Sequence, residues 1–219
     1  MAKNPAERRA AGPRVTRANS VFINCPFDDE YEPFFRALFF TVQDCGFAAR
    51  CAKEIQDDGE TRSDKIVRLI RDCRYGIHDI SRTELNEAGL PRFNMPYELG
   101  VFIGFRYSGS PNQRDKRVMV LDREPHRYQA FLSDYAGQDI HCHEGDIGKL
   151  ITQVRHWLQG WTKRPLLGAE LVRGRFDQFN LELPEVLAEL RITESDLFNF
   201  LDYRRVVAEW IAQSPPEPV

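Results

Sequence analysis

The sequence predicts an α/β protein: a flavodoxin-like three-layer sandwich with a five-stranded parallel sheet, followed by a C-terminal helical appendage. From residue 20 onwards, apolar runs of strand length alternate with segments of helical spacing. The strand segments are almost continuously apolar, which is typical of parallel strands covered by helices on both faces. The length of 219 residues suits one such domain and a small addition. A strand order of 2-1-3-4-5 is expected for this fold.

Each predicted strand is followed by a predicted helix. The strands are apolar runs bounded by turn residues or polar segments: 20–27, 47–52, 75–81, 116–123 and 138–143. The helices place apolar side chains three or four residues apart: 30–46, 61–73, 95–107, 127–137 and 146–161. Gly46 is the expected stop of the first helix.

Three regions follow from this pattern. Residues 1–18 are basic and predict a flexible arm, which either contacts nucleic acid or a partner or is simply a solvated tail. Residues 19–163 form the predicted α/β domain. Residues 164–219 are predicted to be a helical appendage that packs on this domain or against a second subunit.

The appendage is predicted to carry an apolar helix face. Its members are Leu197, Leu201 and Val207, with Trp210 or Ile211. Thr193 and Asp196 resemble a capping box at the start of this segment. Because the predicted helix at 146–161 closes the α/β domain, we expect a homo-oligomer formed through the C-terminal helices.

Composition excludes several classes of protein. The formal net charge is −3, with 30 basic and 33 acidic residues, so there is no overall basic excess of the nucleic-acid-binding kind. The five cysteines are scattered without a CxxC pair, which favours reduced thiols and a cytoplasmic protein with no metal site. No signal peptide and no membrane-spanning apolar run is predicted.

Polar loops converge on one edge of the predicted sheet. In doubly wound sheets, ligands bind beyond the carboxyl ends of the strands, at the switch point beside the first strand. The segments "NCPFDD", "KEIQDDGETR", "HDISRT" and "RFNMPYELG" all fall there. They contain neither GxGxxG nor GxxxxGK[ST], so a dehydrogenase of the Rossmann type and a P-loop enzyme lose most of their support.

Glu98 is the principal candidate for chemistry. It lies about one turn into the predicted helix, after Asn94 as the expected N-cap and Pro96 in the first turn. One interpretation is a structural acid stabilised by the helix dipole. The other is a carboxylate that faces the cleft, where it binds ribose hydroxyls or stabilises an oxocarbenium-like transition state.

Further candidates come from the neighbouring strand ends. The residues predicted to bind a phosphate, base or sugar are Asn24, Cys25, Pro26, Phe27, Arg62, Asp79, Ser81 and Arg82. Asp79 could instead cap a turn, and Arg62 could belong to a solvated first turn of its helix. His78 should point away from Asp79 and is read as a packed histidine. Cys25 would need a nearby base to act as a nucleophile.

These segments carry a family resemblance. The stretches "VFINCPFDDEYEPFFRAL", "DKIVRLIRDCRYGIHDIS" and "LPRFNMPYELGVFIG" resemble a bacterial family of small TIR-like, nucleoside deoxyribosyltransferase-like proteins over residues 20–160. The resemblance implies cleavage of N-glycosidic bonds in nucleosides or NAD. It implies Glu98 as the catalytic glutamate and Asp79 as the acid at the end of the preceding strand. It further implies a role in antiphage defence, with a defence-system partner protein. Asn94 stands where TIR proteins often have serine, which leaves the substrate open.

The resulting hypothesis is an N-glycosidase acting on NAD or a related nucleotide as substrate, with no cofactor. Glu98 would stabilise the ribosyl cation, Asn94 and Asp79 would position the sugar, and loop 24–27 would hold the phosphate or base. The main alternative is a non-catalytic module that senses a nucleotide in the same cleft. A structural interaction protein with an empty cleft is a third interpretation.

Overall fold

Five parallel strands form one sheet in the order β2-β1-β3-β4-β5, as predicted. The computed structural model describes residues 15–54, 59–85, 89–135 and 137–216. The strands are β1 (Ser20–Asn24), β2 (Ala48–Cys51), β3 (Tyr75–Asp79), β4 (Arg117–Asp122) and β5 (Ile140–Cys142). This order confirms the flavodoxin-like fold. It places the carboxyl ends of β1 and β3 side by side, at the point where the direction of winding reverses.

Four helices cover the two faces of the sheet. They are α1 (Glu32–Asp44), α2 (Arg62–Asp72), α3 (Asn94–Ser108) and α4 (Ile147–Gln159). The α1 and α4 helices pack together on one face, and α2 and α3 pack together on the other. Val21 and Ile23 of β1 belong to the core beneath α1 and α4, whereas Phe22 belongs to the core beneath α2 and α3. Neighbouring residues of a strand therefore serve opposite faces.

The first helix ends as predicted. Gly46 has a φ of 73°, a left-handed conformation that glycine adopts without steric cost. Its N–H donates to the carbonyl of Gln43, and the N–H of Phe47 donates to the carbonyl of Val42. These bonds satisfy carbonyl groups at the helix end and turn the chain directly into β2.

Two details of the predicted helices are wrong. Residues 127–137 do not form one helix, but two short 3-10 turns, Arg127–Ala130 and Ser133–Tyr135. His126 has a φ of 61°, and the Arg127 guanidinium donates to the Asp122 carboxylate and to the carbonyl of Ile80, 47 residues away, so these contacts hold the chain in short turns. Asn94 is also not an N-cap, because it is the first helical residue of α3 and Phe93 precedes it with no side-chain capping bond.

The C-terminal region forms two long helices that pack on α1. They are α5 (Ala169–Leu190) and α6 (Phe200–Gln213), joined through a 3-10 turn, Glu194–Phe198. The capping box of Thr193 and Asp196 at this turn is confirmed. Phe40 of α1 lies between the two helices, with ring centroids 5.3 Å from Phe179 and 5.6 Å from Trp210. The α1 helix is therefore buried between the sheet and a further helical layer.

This packing removes the reason for expecting a second copy against the appendage. Leu197, Val207 and Trp210 are buried within the chain's own core, and Ile211 packs at its margin. Leu201, predicted on the same apolar face, is 41 % exposed. The apolar face of the appendage thus finds its partner in α1, and assembly through these helices stays an untested prediction.

The predicted basic arm lies mostly outside the described residues. Of its last residues, Arg17 belongs to the folded domain, since its guanidinium contacts Asp115 at 2.6 Å and its carbonyl accepts from the N–H of Arg74. Within the described ranges, none of the helices combines the length and the apolar composition that a membrane crossing requires.

We predict that Trp210→Ala lowers the free energy of unfolding by about 3–5 kcal/mol, the usual cost of emptying a large aromatic site in a core. Trp161→Ala is the control, because Trp161 is 40 % exposed, and its loss should cost clearly less. Urea unfolding followed by circular dichroism measures both. Small and equal losses of unfolding free energy in the two variants would mean that the appendage is not part of the cooperative core.

Candidate functional site

A cleft of about 320 Å³ opens at the carboxyl end of β1. The loop after β1 forms one wall, and the start of α2, the N-terminal part of α3 and Arg92 before it form the other. Its lining residues are Asn24, Cys25, Pro26, Phe27, Asp28, Arg62, Arg92, Asn94, Met95 and Glu98. The cleft thus brings together most of the predicted site residues, including Glu98 and the whole of loop 24–27. It lies at the switch point of the sheet, where doubly wound folds bind their ligands.

Glu98 is the carboxylate of this cleft. Its residue is 8 % exposed, and it lies beyond the first turn of α3. Burial raises the pKa of Glu98 to about 7, and the positive charge of Arg62 opposes that rise. No described residue donates a hydrogen bond or forms an ion pair with the carboxylate. The interpretation as a first-turn acid that serves the helix dipole therefore has little support, because the dipole effect fades beyond the first turn.

Asn24 is held rigidly beside Glu98 by two hydrogen bonds. Its side-chain nitrogen lies 2.9 Å from the carbonyl oxygen of Met95 and 2.9 Å from Nδ1 of His78. A backbone carbonyl only accepts, so the atom facing it is the amide nitrogen. With both amide hydrogens engaged, Oδ1 of Asn24 is the atom left to accept from a ligand. The lining of the cleft therefore includes Asn24 Oδ1 and the Glu98 carboxylate as acceptors that no described donor engages.

His78 keeps the charge state that this arrangement requires. It is fully buried, and burial, with a smaller contribution from Lys116, lowers the pKa of His78 to about 3. The neutral ring accepts from Asn24 at Nδ1, which places the proton on Nε2. His78 is thus a packed residue, as predicted, and it fixes the orientation of Asn24.

Two arginines lie at the cleft. Arg62 is the first residue of α2 and forms no ion pair with any other described residue. Arg92 donates to the Asp28 carboxylate at 2.6 Å. Asp28 and Arg92 were not singled out from the sequence, although each stands in a quoted segment, "NCPFDD" or "RFNMPYELG". Their opposite charges pair across the two walls, a contact that local sequence does not reveal.

Asp79 does not line the cleft, contrary to the prediction. Its carboxylate is fully buried and accepts from the Tyr31 hydroxyl at 2.6 Å and from the N–H of Ser81 at 2.8 Å. Nε2 of His143 lies 3.3 Å from the same carboxylate. Asp79 alternates with His78 along β3, so it faces α1 and α4 while Glu98 lies on the other face of the sheet. Its turn-capping alternative fits this placement, since the bond to Ser81 closes the turn after β3.

Ser81 and Arg82 also lie outside the cleft lining. Ser81 is buried behind Asp79. Arg82 forms ion pairs with Glu30 and, at 3.7 Å, with Asp28. Arg82 therefore contacts the lining of the cleft through Asp28, and ligand binding by Ser81 or Arg82 stays a prediction.

Cys25 is not equipped for nucleophilic catalysis. It is buried, and burial raises the pKa of its thiol well above the ordinary value, so the sulfur stays protonated. Among the described residues, no group of three or more His, Cys, Asp or Glu side chains could hold a metal ion.

Comparisons with known proteins give no family assignment: no protein-family model matches this chain, and no curated protein does either. The functional argument therefore rests on the cleft itself.

The pKa of Glu98 yields a test of its role. A carboxyl whose pKa is higher in the folded than in the unfolded state stabilises the fold below about pH 4.5, and that contribution is lost as the pH rises to about 7. Glu98→Gln removes this loss of stability at high pH, because glutamine has no carboxyl group to ionise. We predict that the variant is more stable than the parent at pH 8, by up to about 3 kcal/mol, and that the advantage shrinks at pH 5.

Urea unfolding at both pH values measures this difference. Glu189→Gln, on the exposed surface of α5, controls for the removal of one negative charge. A parent protein that is more stable than Glu98→Gln at pH 8 would identify Glu98 as a structural anion.

Proposed function

We propose that the protein is an N-glycosidase that cleaves the bond between ribose and base in NAD or a related nucleotide. The observation that carries the proposal is the state of the Glu98 carboxylate. It is buried, it has no partner among the described residues, and it lines a cleft at the switch point. Carboxyl groups with a raised pKa that face a cleft cluster at functional sites. The fold agrees with the resemblance to TIR-like and deoxyribosyltransferase-like proteins.

The proposed reaction begins with the cleavage of the bond between C1′ of the ribose and the base nitrogen. The bonding electrons leave with the base, and positive charge develops on C1′ and the ring oxygen. The ionised Glu98 carboxylate stabilises this charge, and Met95 and Phe27 in the lining limit the water that would screen it. Water then adds to C1′ and releases a proton to solvent.

The hydrogen-bond acceptors and the positive charges of the cleft match the ribose hydroxyls and the phosphate of a nucleotide. Ribose hydroxyls are donors that can bind Asn24 Oδ1 and the Glu98 carboxylate. Asn94, at the start of α3, offers a further polar group. Arg62 and the N-terminus of α2 favour a phosphate, because both present positive charge to the cleft. Asp79 makes no direct contact with the nucleotide in this scheme.

A nucleotide-sensing module that does not catalyse is the second candidate. The observation that favours it is that Glu98 is the cleft's one carboxylate without an ion-pair partner among the described residues, since Asp28 pairs with Arg92. Glycosidases commonly use two carboxylates. A single acid suffices for binding, and also for a substrate whose base leaves readily as a neutral molecule, as nicotinamide does.

The cellular setting is part of the same proposal. By resemblance, we place the protein in the cytoplasm, in antiphage defence, with a defence-system partner protein. The α5 and α6 helices could relay ligand binding to such a partner, because α6 contacts the 3-10 turn Ala52–Glu54 that follows β2 at the same sheet edge.

We predict that Glu98→Gln reduces base release by about 10²–10³-fold, since only the carboxylate offsets the developing positive charge. Ligand affinity should change little. Chromatography of free base after incubation with NAD and a panel of nucleotides measures turnover, and calorimetry measures binding. Asp79→Asn serves as a comparison and should cost less. Undiminished turnover in Glu98→Gln would remove the catalytic proposal, whereas binding with no turnover in either protein would favour the sensor.

We predict that Arg62→Gln weakens the binding of a nucleoside monophosphate about tenfold or more, the scale of one charge-assisted contact. Binding of the corresponding nucleoside, which lacks the phosphate, should be unaffected. Calorimetry with the two ligands makes this comparison. Equal losses for both ligands would show that Arg62 does not bind the phosphate.

A further inference from the structure

The outer face of α3 carries an aromatic stripe that the described residues leave uncovered. Phe93, Tyr97 and Tyr107 are 63 %, 61 % and 70 % exposed. Together with Gly100 and Gly104 they recur at alternating intervals of four and three residues, which places them along one side of the helix. Spacing of this kind is that of a seam between two packed helices.

Nothing in the described part of the chain explains the two glycines. Neither has a positive φ, and a Cβ added at Gly100 or Gly104 would meet no described atom within 4 Å. Glycine destabilises a helix interior relative to alanine, so these positions weaken α3 without any gain for the fold. At Gly76, by contrast, an added Cβ would lie 2.7 Å from the rings of His78 and Phe102. Gly100 and Gly104 differ from other exposed glycines because they share a helix face with exposed aromatic side chains, and this combination favours close approach from outside.

The part of the stripe from Tyr97 to Tyr107 is self-complementary. Tyr97 and Tyr107 are equally far in sequence from Phe102, and so are Gly100 and Gly104. The same surface would therefore match itself if two copies of α3 ran antiparallel. The two-fold axis would then cross the outer side of the helix at the height of residue 102. An interface of this kind requires that one patch be complementary to itself. The tyrosines lie about 15 Å apart along the helix axis, at its 1.5 Å rise per residue, with the glycines between them.

The charges on α3 favour a second copy over a charged partner. Its charged residues are Glu98, which faces the cleft, and Arg106, whose guanidinium lies 6.0 Å from the centroid of the Tyr107 ring. The stripe itself is uncharged, although 29 % of the chain's residues are charged. Depletion of charge with aromatic enrichment is typical of the centre of protein interfaces.

We propose that the protein forms a two-fold homodimer through α3, with the helices antiparallel and Gly100 of one subunit against Gly104 of the partner subunit. Tyr97 of each subunit then lies beside Tyr107 of the other, at the two ends of the contact. The inference does not depend on the proposed function. It assigns the assembly surface to α3 and not to α5 and α6, whose apolar faces pack on α1.

Replacing the glycines by a longer side chain tests the interface. Gly100→Gln and Gly104→Gln should raise the dimer dissociation constant by about tenfold or more. Glutamine is a better helix former than glycine, so lost dimerisation would not reflect an unfolded helix. Gly174→Gln is the matched control, because Gly174 is also exposed within a helix and has no described atom within 4 Å of an added Cβ. Sedimentation velocity over a concentration series measures the constants.

Disulfide trapping tests the antiparallel register. Gly100→Cys and Gly104→Cys proteins, mixed and oxidised, should crosslink much faster than either protein alone, because only the mixed pair brings the two Cα atoms within disulfide range. The parent protein controls for the native thiols. A parent that is monomeric at every concentration would overturn the proposal. So would a dimer that survives both glutamine changes, or equal crosslinking by Gly100→Cys alone.

Discussion

The side chain of Asn24 joins the three elements that meet at the cleft. It stands at the end of β1, donates to His78 on β3 and to the carbonyl of Met95 on α3, and so fixes the helix that carries Glu98 relative to the sheet. This contact depends on His78 remaining neutral, since a protonated ring could not accept the bond. Burial ensures this neutrality. The geometry of the cleft thus follows from these two buried hydrogen bonds of Asn24, while Nε2 of His78 has no hydrogen-bond partner among the described residues.

Glu98 lowers the stability of the fold when its carboxyl group is ionised. Its burial penalises the charged form, and a fold selected for stability alone would place an apolar or amide side chain there. The cost is tolerable because Arg62 supplies positive charge and because the cleft remains open to water on one side. The same balance suits a carboxylate that must be ionised when positive charge develops on a bound sugar, since an apolar surrounding strengthens that interaction.

The sequence predicted the sheet and the position of the cleft well, because periodicity and strand order are local or topological properties. All five strands and the first four long helices follow from hydrophobic spacing, and loop 24–27 and Glu98 follow from the switch-point rule. The failures have physical causes. Asp79 was chosen for its place at the carboxyl end of β3, but it shares the alternation of Tyr75 and Ile77, which face α1, and so lies outside the cleft lining. The pairing of Asp28 with Arg92 and the docking of Phe40 between α5 and α6 depend on contacts between distant segments, which no local pattern encodes.

The composition of α3 connects the cleft with the proposed dimer. Helices that are apolar around most of their circumference are normally buried around most of it, yet α3 is covered by described residues on its inner side alone. Met95, Leu99 and Phe102 pack inward, Glu98 faces the cleft, and the aromatic stripe faces outward. A second copy on the outer side would complete the burial that this composition implies. It would also restrain the weakest part of α3, the stretch between its two glycines, which begins two residues after Glu98. On this argument, assembly and the placement of the functional carboxylate depend on the same helix.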